Sequence, residues 1–241
     1  CGVLHSRIVL ASTPWAMTTS LNPMGFTFNL DQTDHLLSTT RAVRKRLDLT
    51  RPVPRELLID CVRLAAQAPA GSNLQKWRWM VVDDPDLKMG LADIYRKAYL
   101  PYIEMQRNQV EKKGRTDADG IMESADYLAT ILEKVPALLI PIGLDRLPSN
   151  ADVQAQTGYY GSLLPAVWSF MLAARSRGLG TAYTTLHLKY EQEAAQLLGL
   201  PDTVTQLALI PVAYYTGEDF KVGKRRPAEE ITYFNSWKST L

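Results

Sequence analysis

Residues 158–177 are apolar almost all the way round: Leu163, Leu164, Val167, Trp168, Phe170, Met171 and Ala174 leave no continuous polar face. A helix of that kind has to be buried in a core or in an interface, so the rest of the chain must supply cover for it on more than one side. Gly178 and Gly180 close it, because glycine accepts the left-handed backbone that ends a helix.

The flanking sequence reads as alternating elements. A short helix is expected over 31–39, then a basic loop, then a helix opened by Pro54 and Glu56 and closed by Pro69 and Gly71. Its Leu57, Leu58, Cys61, Val62, Ala65 and Ala68 recur at helical spacing. Trp77–Val82 reads as a strand. Asp84 caps a helix expected to run to about residue 97. Residues 98–130 are more polar and read as an excursion that could cover a site as a lid, or as a plain solvated loop. Further strands are expected at 135–142, 181–185 and 206–214. A second polar loop is expected at 145–155, and a helix at Glu191–Leu198 with Gly199 as its left-handed cap. Strands alternating with helices place the chain in the α/β or α+β class.

Composition excludes several functions. With 27 basic and 25 acidic residues the formal charge is only +2, which argues against a nucleic-acid partner. Apolar runs long enough for a transmembrane helix are missing. Two cysteines, Cys1 and Cys61, make no disulfide framework and point to the cytoplasm. His5, His35 and His187 never approach metal-ligand spacing. Residues 1–23 start on Cys, and their apolar stretch is interrupted by His5, Arg7 and Pro14. They read as a leader outside a single domain over 24–241.

Common catalytic motifs fail. Gly178-Leu179-Gly180 follows a helix and precedes a strand, the reverse of a dinucleotide fingerprint, and Tyr183 stands where the third glycine would be. P-loop, HExxH, GxSxG and SxxK patterns are absent. Cys61, on an apolar helix face, reads as a core residue. What remains is two basic clusters, Arg41/Arg44/Lys45/Arg46 and Lys221/Lys224/Arg225/Arg226. If they converge they form an anion site, since guanidinium forks suit phosphate; taken singly, each is a solvated patch. Between them lies PAGSNLQKW, residues 69–77. Its small residues let backbone approach a flat ligand, and Asn73 and Gln75 could address a heteroaromatic edge; an ordinary helix–strand turn is the alternative.

Taken in register, TTRAVRKRLDLTRPVPRELL, PAGSNLQKW, RSRGLGTAYTT and the tail ALIPVAYYTGEDF…KRRPAEEITYFNSW resemble the FMN-dependent nitroreductase family over about residues 34–237. The phrases TTR-x-VRKRLD and PAVWSF-x-LA-x-RSRGLG are most similar to an actinobacterial group within it. The resemblance implies an α+β fold, a mixed central sheet surrounded by helices, built as an intertwined homodimer with FMN at the subunit interface. It implies that Arg41, Ala42 and Arg44 touch the cofactor first, and that Pro69, Ala70, Gly71 and Asn73 serve the flavin of the other subunit. Thr184, Thr185 and Leu186 would lie by the ring, and Lys224 and Arg226 on the phosphate. Ala42 and Ala70 stand where the family usually or often has serine, each omitting a hydroxyl worth about 1 kcal/mol.

The implied activity is a two-step exchange, with NADH or NADPH reducing the flavin and a nitroaromatic, quinone or similar small molecule reoxidising it. No general acid or base is assigned, and His187 reads as structural. Alternatives are a non-catalytic flavin carrier or sensor, a binder of another phosphorylated ligand such as a deazaflavin, and family variants acting in dehalogenation or flavin conversion. The dehalogenating lid pattern Glu-x-x-x-Tyr is not met, because Glu104 is followed at that spacing by Asn108.

Overall fold

Strand β2 (Ala137–Gly143) is buried along its whole length, and its alternate residues face two different cores. Successive side chains of a strand point to opposite faces, so a strand that is apolar at every position needs cover on both. Leu138, Ile140 and Ile142 join one cluster, with Leu91, Tyr95, Leu128 and Ala194; Ala137 and Leu139 join the other, with Leu58, Cys61, Leu163 and Phe170. The computed structural model describes residues 27–112 and 119–240. The leader expected over 1–23 lies outside them.

The sheet builds out from β2. Strand β1 (Trp77–Val82) pairs antiparallel with it, Trp77 opposite Gly143 and Val82 opposite Leu138. On its other side β2 pairs with β5 (Ile210–Tyr214), which pairs with β3 (Leu179–Thr181); the short β4 (Thr205–Gln206) extends the end of β2. Ala42 adds a parallel bridge to Thr181, so the sheet is mixed. Helices α2 (Arg55–Ala65) and α5 (Val153–Arg175) cover one face; α3 (Pro85–Lys112), α4 (Asp119–Ile131) and α6 (Glu191–Leu198) cover the other. A helix α1 (Leu30–Thr39) and a four-residue α7 (Ala228–Ile231) complete the order. This is the expected α+β architecture of a mixed sheet wrapped by helices. No helix among the described residues is long and apolar enough to cross a membrane.

Four boundaries differ from the sequence reading, each for a local reason. Helix α3 does not stop near residue 97: Ala98, Tyr99 and Ile103 keep one face buried, so the polar residues beyond it lie on the wet side of the same helix. With α4 it forms a helical arm over the expected lid region, of which 113–118 lie outside the described residues. Helix α5 begins five residues early, because the Asp152 carboxylate accepts the Ala155 N–H at 2.8 Å and caps it there. Strand β3 ends at Thr181; Thr184 only bridges Leu209 before a 3-10 turn over Leu186–Tyr190. The 206–214 run splits into β4 and β5, and Gln206 turns its amide to the Glu191 carbonyl at 3.0 Å.

Helix α5 is buried on one side through Leu163, Ala166, Val167, Phe170 and Ala174. On the other, Tyr160, Leu164 and Trp168, four residues apart, are 40%, 38% and 43% exposed. Those spacings place them on one stripe.

Candidate functional site

The basic loop 41–46 lies against β3 because β3 carries a glycine. A Cβ at Gly180 would stand 2.9 Å from Val43 Cβ, so only glycine lets the loop settle there. The Val43 N–H then donates to the Thr181 carbonyl at 2.8 Å, and Asp48 N–H to the Tyr214 carbonyl at 2.7 Å. Leu47 bridges Tyr215. The loop is thereby fixed between the ends of β3 and β5, and the chain leaving β5 becomes the C-terminal basic segment.

There one contact joins the two basic segments. Arg41 Nη1 donates to the Lys221 carbonyl at 3.2 Å, joining segments 180 residues apart. The members of the clusters divide by what they touch. Lys45 pairs with Glu123 of α4 at 2.6 Å. Arg46 is taken up by backbone carbonyls: its Nε donates to Thr216 O at 2.6 Å, with Glu218 O and Asp219 O on its other nitrogens. Its guanidinium lies 4.2 Å from the Phe220 ring centre. By contrast Arg41, Arg44, Lys224 and Arg226 have no carboxylate in an ion pair among the described residues. Of these, Arg41 is held against the C-terminal segment, through the Lys221 carbonyl.

Arg44 is half-buried and acts on Tyr95 of α3. Burial pushes the Tyr95 hydroxyl up to about 12, and the Arg44 charge works against that push. The neighbouring Tyr99 hydroxyl donates to Asp126 at 2.6 Å, and Arg107 reaches the same carboxylate at 2.7 Å, tying α3 to α4 above the loop.

The 184–186 segment follows β3 at the same edge. Thr184 is buried and its hydroxyl donates to the Leu209 carbonyl at 2.6 Å, so that hydroxyl is committed to the fold. Thr185 is exposed and Leu186 half-buried. Beneath them His187 is fully buried, with neither ring nitrogen in a hydrogen bond of good geometry. Burial lowers its pKa to about 4, although nearby Glu191 and Gln206 favour the proton. At neutral pH it is an uncharged core residue. Glu191 itself is held below the usual range: burial pushes it up, but Arg146, at 2.9 and 3.0 Å, and the Gln206 N–H outweigh that.

Pro69, Ala70, Gly71 and Asn73 stand apart from this cluster. Ala70 packs with the α2–α5 layer, whereas Val43 and Leu47 pack with the α3–α4–α6 layer. Gly71 N–H donates to Ser162 Oγ of α5 at 2.9 Å. Ser72, Asn73 and Gln75 all hold positive φ, of 51°, 54° and 49°, a conformation that L-residues adopt rarely and that concentrates at functional turns. In the protomer 41–46 and 184–186 adjoin β3, Lys221 receives Arg41, and Ala70 of the 69–73 segment packs with the α2–α5 layer. Sequence reasoning missed Ser162, Asp219 and the distinct part played by Arg46. A lone hydroxyl on an apolar helix was the only signal for the first, and nothing in a row of basic residues separates a clamp from a ligand.

Comparison with known proteins bears on the family and the fold. The model of the nitroreductase family matches residues 37–214. An iodotyrosine deiodinase of Nematostella vectensis is 25% identical over 205 residues, covering 79% of this chain and 70% of its own length. The iodotyrosine deiodinase 1 of Rattus norvegicus is 25% identical over 181 residues, and the chain spans only 60% of its length. Among solved structures, an iodotyrosine deiodinase bound to FMN and 3-iodo-L-tyrosine superposes with a TM-score of 0.63 at 22% identity, covering 83% of this chain and 98% of that one. The FMN-dependent nitroreductase NfnB of Mycobacterium smegmatis, in complex with NADPH, gives 0.61 at 19% identity over 86% of this chain and all of that one. The match runs from the basic loop through β5, most of the described chain, and the chain belongs to the nitroreductase family.

Proposed function

We propose that the chain is an FMN-dependent oxidoreductase, cytoplasmic and homodimeric, that uses NADH or NADPH to reduce a nitroaromatic, a quinone or a similar small acceptor. The observation that carries this reading is that Arg41 is anchored on Lys221 O at 3.2 Å, joining two basic segments whose Arg41, Arg44, Lys224 and Arg226 have no carboxylate partner among the described residues. Their donor set fits a phosphate monoester, and guanidinium–phosphate contacts are the strong, charge-assisted kind.

In this reading Arg41, Arg44, Lys224 and Arg226 hold the phosphate, and Ala42 lets the ligand lie close to the backbone. Thr185 and Leu186 flank the ring, because the Thr184 hydroxyl is committed to Leu209 O. When bound, FMN supplies the two-electron chemistry between donor and acceptor. Pro69, Ala70, Gly71 and Asn73, on the other layer, serve the flavin of a second copy. The exposed stripe Tyr160, Leu164 and Trp168 supports such a partner. The arm of α3 and α4 covers the acceptor.

A second reading, reductive dehalogenation, is favoured by the name the animal relatives share. Glu104 and Asn108 line one hollow with Pro101, Met105 and Gln109. Asn108 offers no phenol there, which weighs against an amino-acid zwitterion as ligand.

The test is the absorption spectrum of the purified protein with FMN, followed by anaerobic bleaching with each nicotinamide and recovery on adding a quinone. Bleaching and recovery are expected. A bound flavin that neither nicotinamide bleaches would leave a carrier. Iodide release from 3-iodo-tyrosine without quinone or nitro turnover would move the conclusion to dehalogenation.

A further inference from the structure

Arg46 stands two residues from Arg44 in a row of cations, yet its surroundings are unlike those of a ligand-binding arginine. Three backbone carbonyls of one corner receive its nitrogens: Thr216 O at 2.6 Å, Asp219 O at 3.5 Å, and Glu218 O. Its guanidinium lies over Phe220 at 4.2 Å and near Tyr215 at 5.5 Å. In return Thr216 N–H donates to the Arg46 carbonyl at 2.8 Å. Gly217, at φ +76°, brings the corner round; a Cβ there would stand 3.3 Å from Arg46 Nη2. A planar fork with five donors can meet several carbonyls and stack at once, which an ammonium cannot do.

The same corner is tied from its other side. Asp219 accepts the Phe220 N–H at 2.8 Å and pairs with Arg175 at the end of α5 and with His35 of α1. Arg175 Nη1 also reaches the Tyr215 hydroxyl at 2.7 Å. Two residues past Asp219 comes Lys221, whose carbonyl receives Arg41. The corner 215–220 therefore decides where the segment carrying Lys224 and Arg226 begins.

We infer that Arg46 and Asp219 are positioning residues: they hold the 215–220 corner so that the C-terminal cations meet Arg41 and Arg44 around one phosphate. This rests on the FMN reading above. Its particular consequence is that the arginine's geometry counts, and its charge does not. The corner acts on the phosphate end of the ligand and leaves the ring contacts at 184–186 alone.

The test compares FMN with riboflavin, which lacks the phosphate, by fluorescence titration of the full chain. Wild type is expected to prefer FMN by at least tenfold. Arg46→Lys keeps the charge and loses the fork; it is expected to weaken FMN about tenfold and riboflavin less than twofold. Asp219→Asn, a milder change, is expected to weaken FMN about threefold with riboflavin again unmoved. Equal loss of both flavins would mean a merely structural role and overturn the inference, as would an FMN preference retained in Arg46→Lys. A wild type that binds no flavin, or binds both alike, would overturn the FMN reading and this inference with it. A wild-type preference that survives in the variants overturns this inference alone.

Discussion

His187 is an imidazole that the fold keeps uncharged. Its pKa falls from an ordinary 6.5 to about 4, with burial the leading cause. Between those values the unfolded chain binds a proton that the folded chain refuses, so stability rises with pH across the window. Its contribution is complete above pH 6.5 and lost as pH falls towards 4, about 3 kcal/mol in all at roughly 1.4 kcal/mol per unit. Urea unfolding between pH 4 and 7 should show this slope. In His187→Gln the slope should shrink by one proton's worth, whatever the variant's absolute stability; an unchanged slope would assign the acid sensitivity elsewhere. Asp219 titrates lower, at about 2, held down first by the Phe220 N–H and then by His35 and Arg175, so it leaves this window alone.

At the level of elements, the turn between α2 and β1 gathers Ser72, Asn73 and Gln75 at positive φ, where the backbone works against its own residues. Ser72 sits at φ 51° with its side chain exposed, and no glycine relieves it. Ser72→Gly is expected to raise stability by about 1 kcal/mol, read as a higher urea midpoint, because glycine enters the left-handed region at no steric cost. A lower midpoint would mean that the serine side chain makes contacts worth more than the strain. This turn also marks how far the sequence could be read. PAGSNLQKW was legible as a turn, and so were the strands at 77–82 and 135–142 and the buried helix ending at Gly178, because each rests on local pattern. The helical course of α3 past residue 97 was not legible, since its burial depends on α4 and on the sheet beyond. Nor was the division of labour in RAVRKR: Arg41, Lys45 and Arg46 differ only by what the fold brings to them, namely Lys221 O, Glu123 and the 215–220 corner. The 69–73 segment was legible as a motif, but its placement on the α2–α5 layer needed the packing.

For the molecule as a whole, α5 is the element that would join folding to assembly in the proposed dimer. One face fills the core behind β2, and the other offers Tyr160, Leu164 and Trp168 to solvent. Replacing Trp168 by Glu puts a charge on the stripe without touching the core side. It is expected to shift the sedimentation coefficient from that of a dimer to that of a protomer, with flavin content falling alongside. An unchanged dimer would place the interface elsewhere. In the proposed dimer the two-sidedness of α5 would also set what a stability measurement on this protein reports. A second copy bound to that stripe would enter the unfolding equilibrium by mass action, making the thermal midpoint a function of protein concentration. Each tenfold dilution removes about 1.4 kcal/mol of apparent stability. In that dimer the dilute chain, newly made, would be the form most exposed to unfolding, and abundance itself would become a stabilising agent.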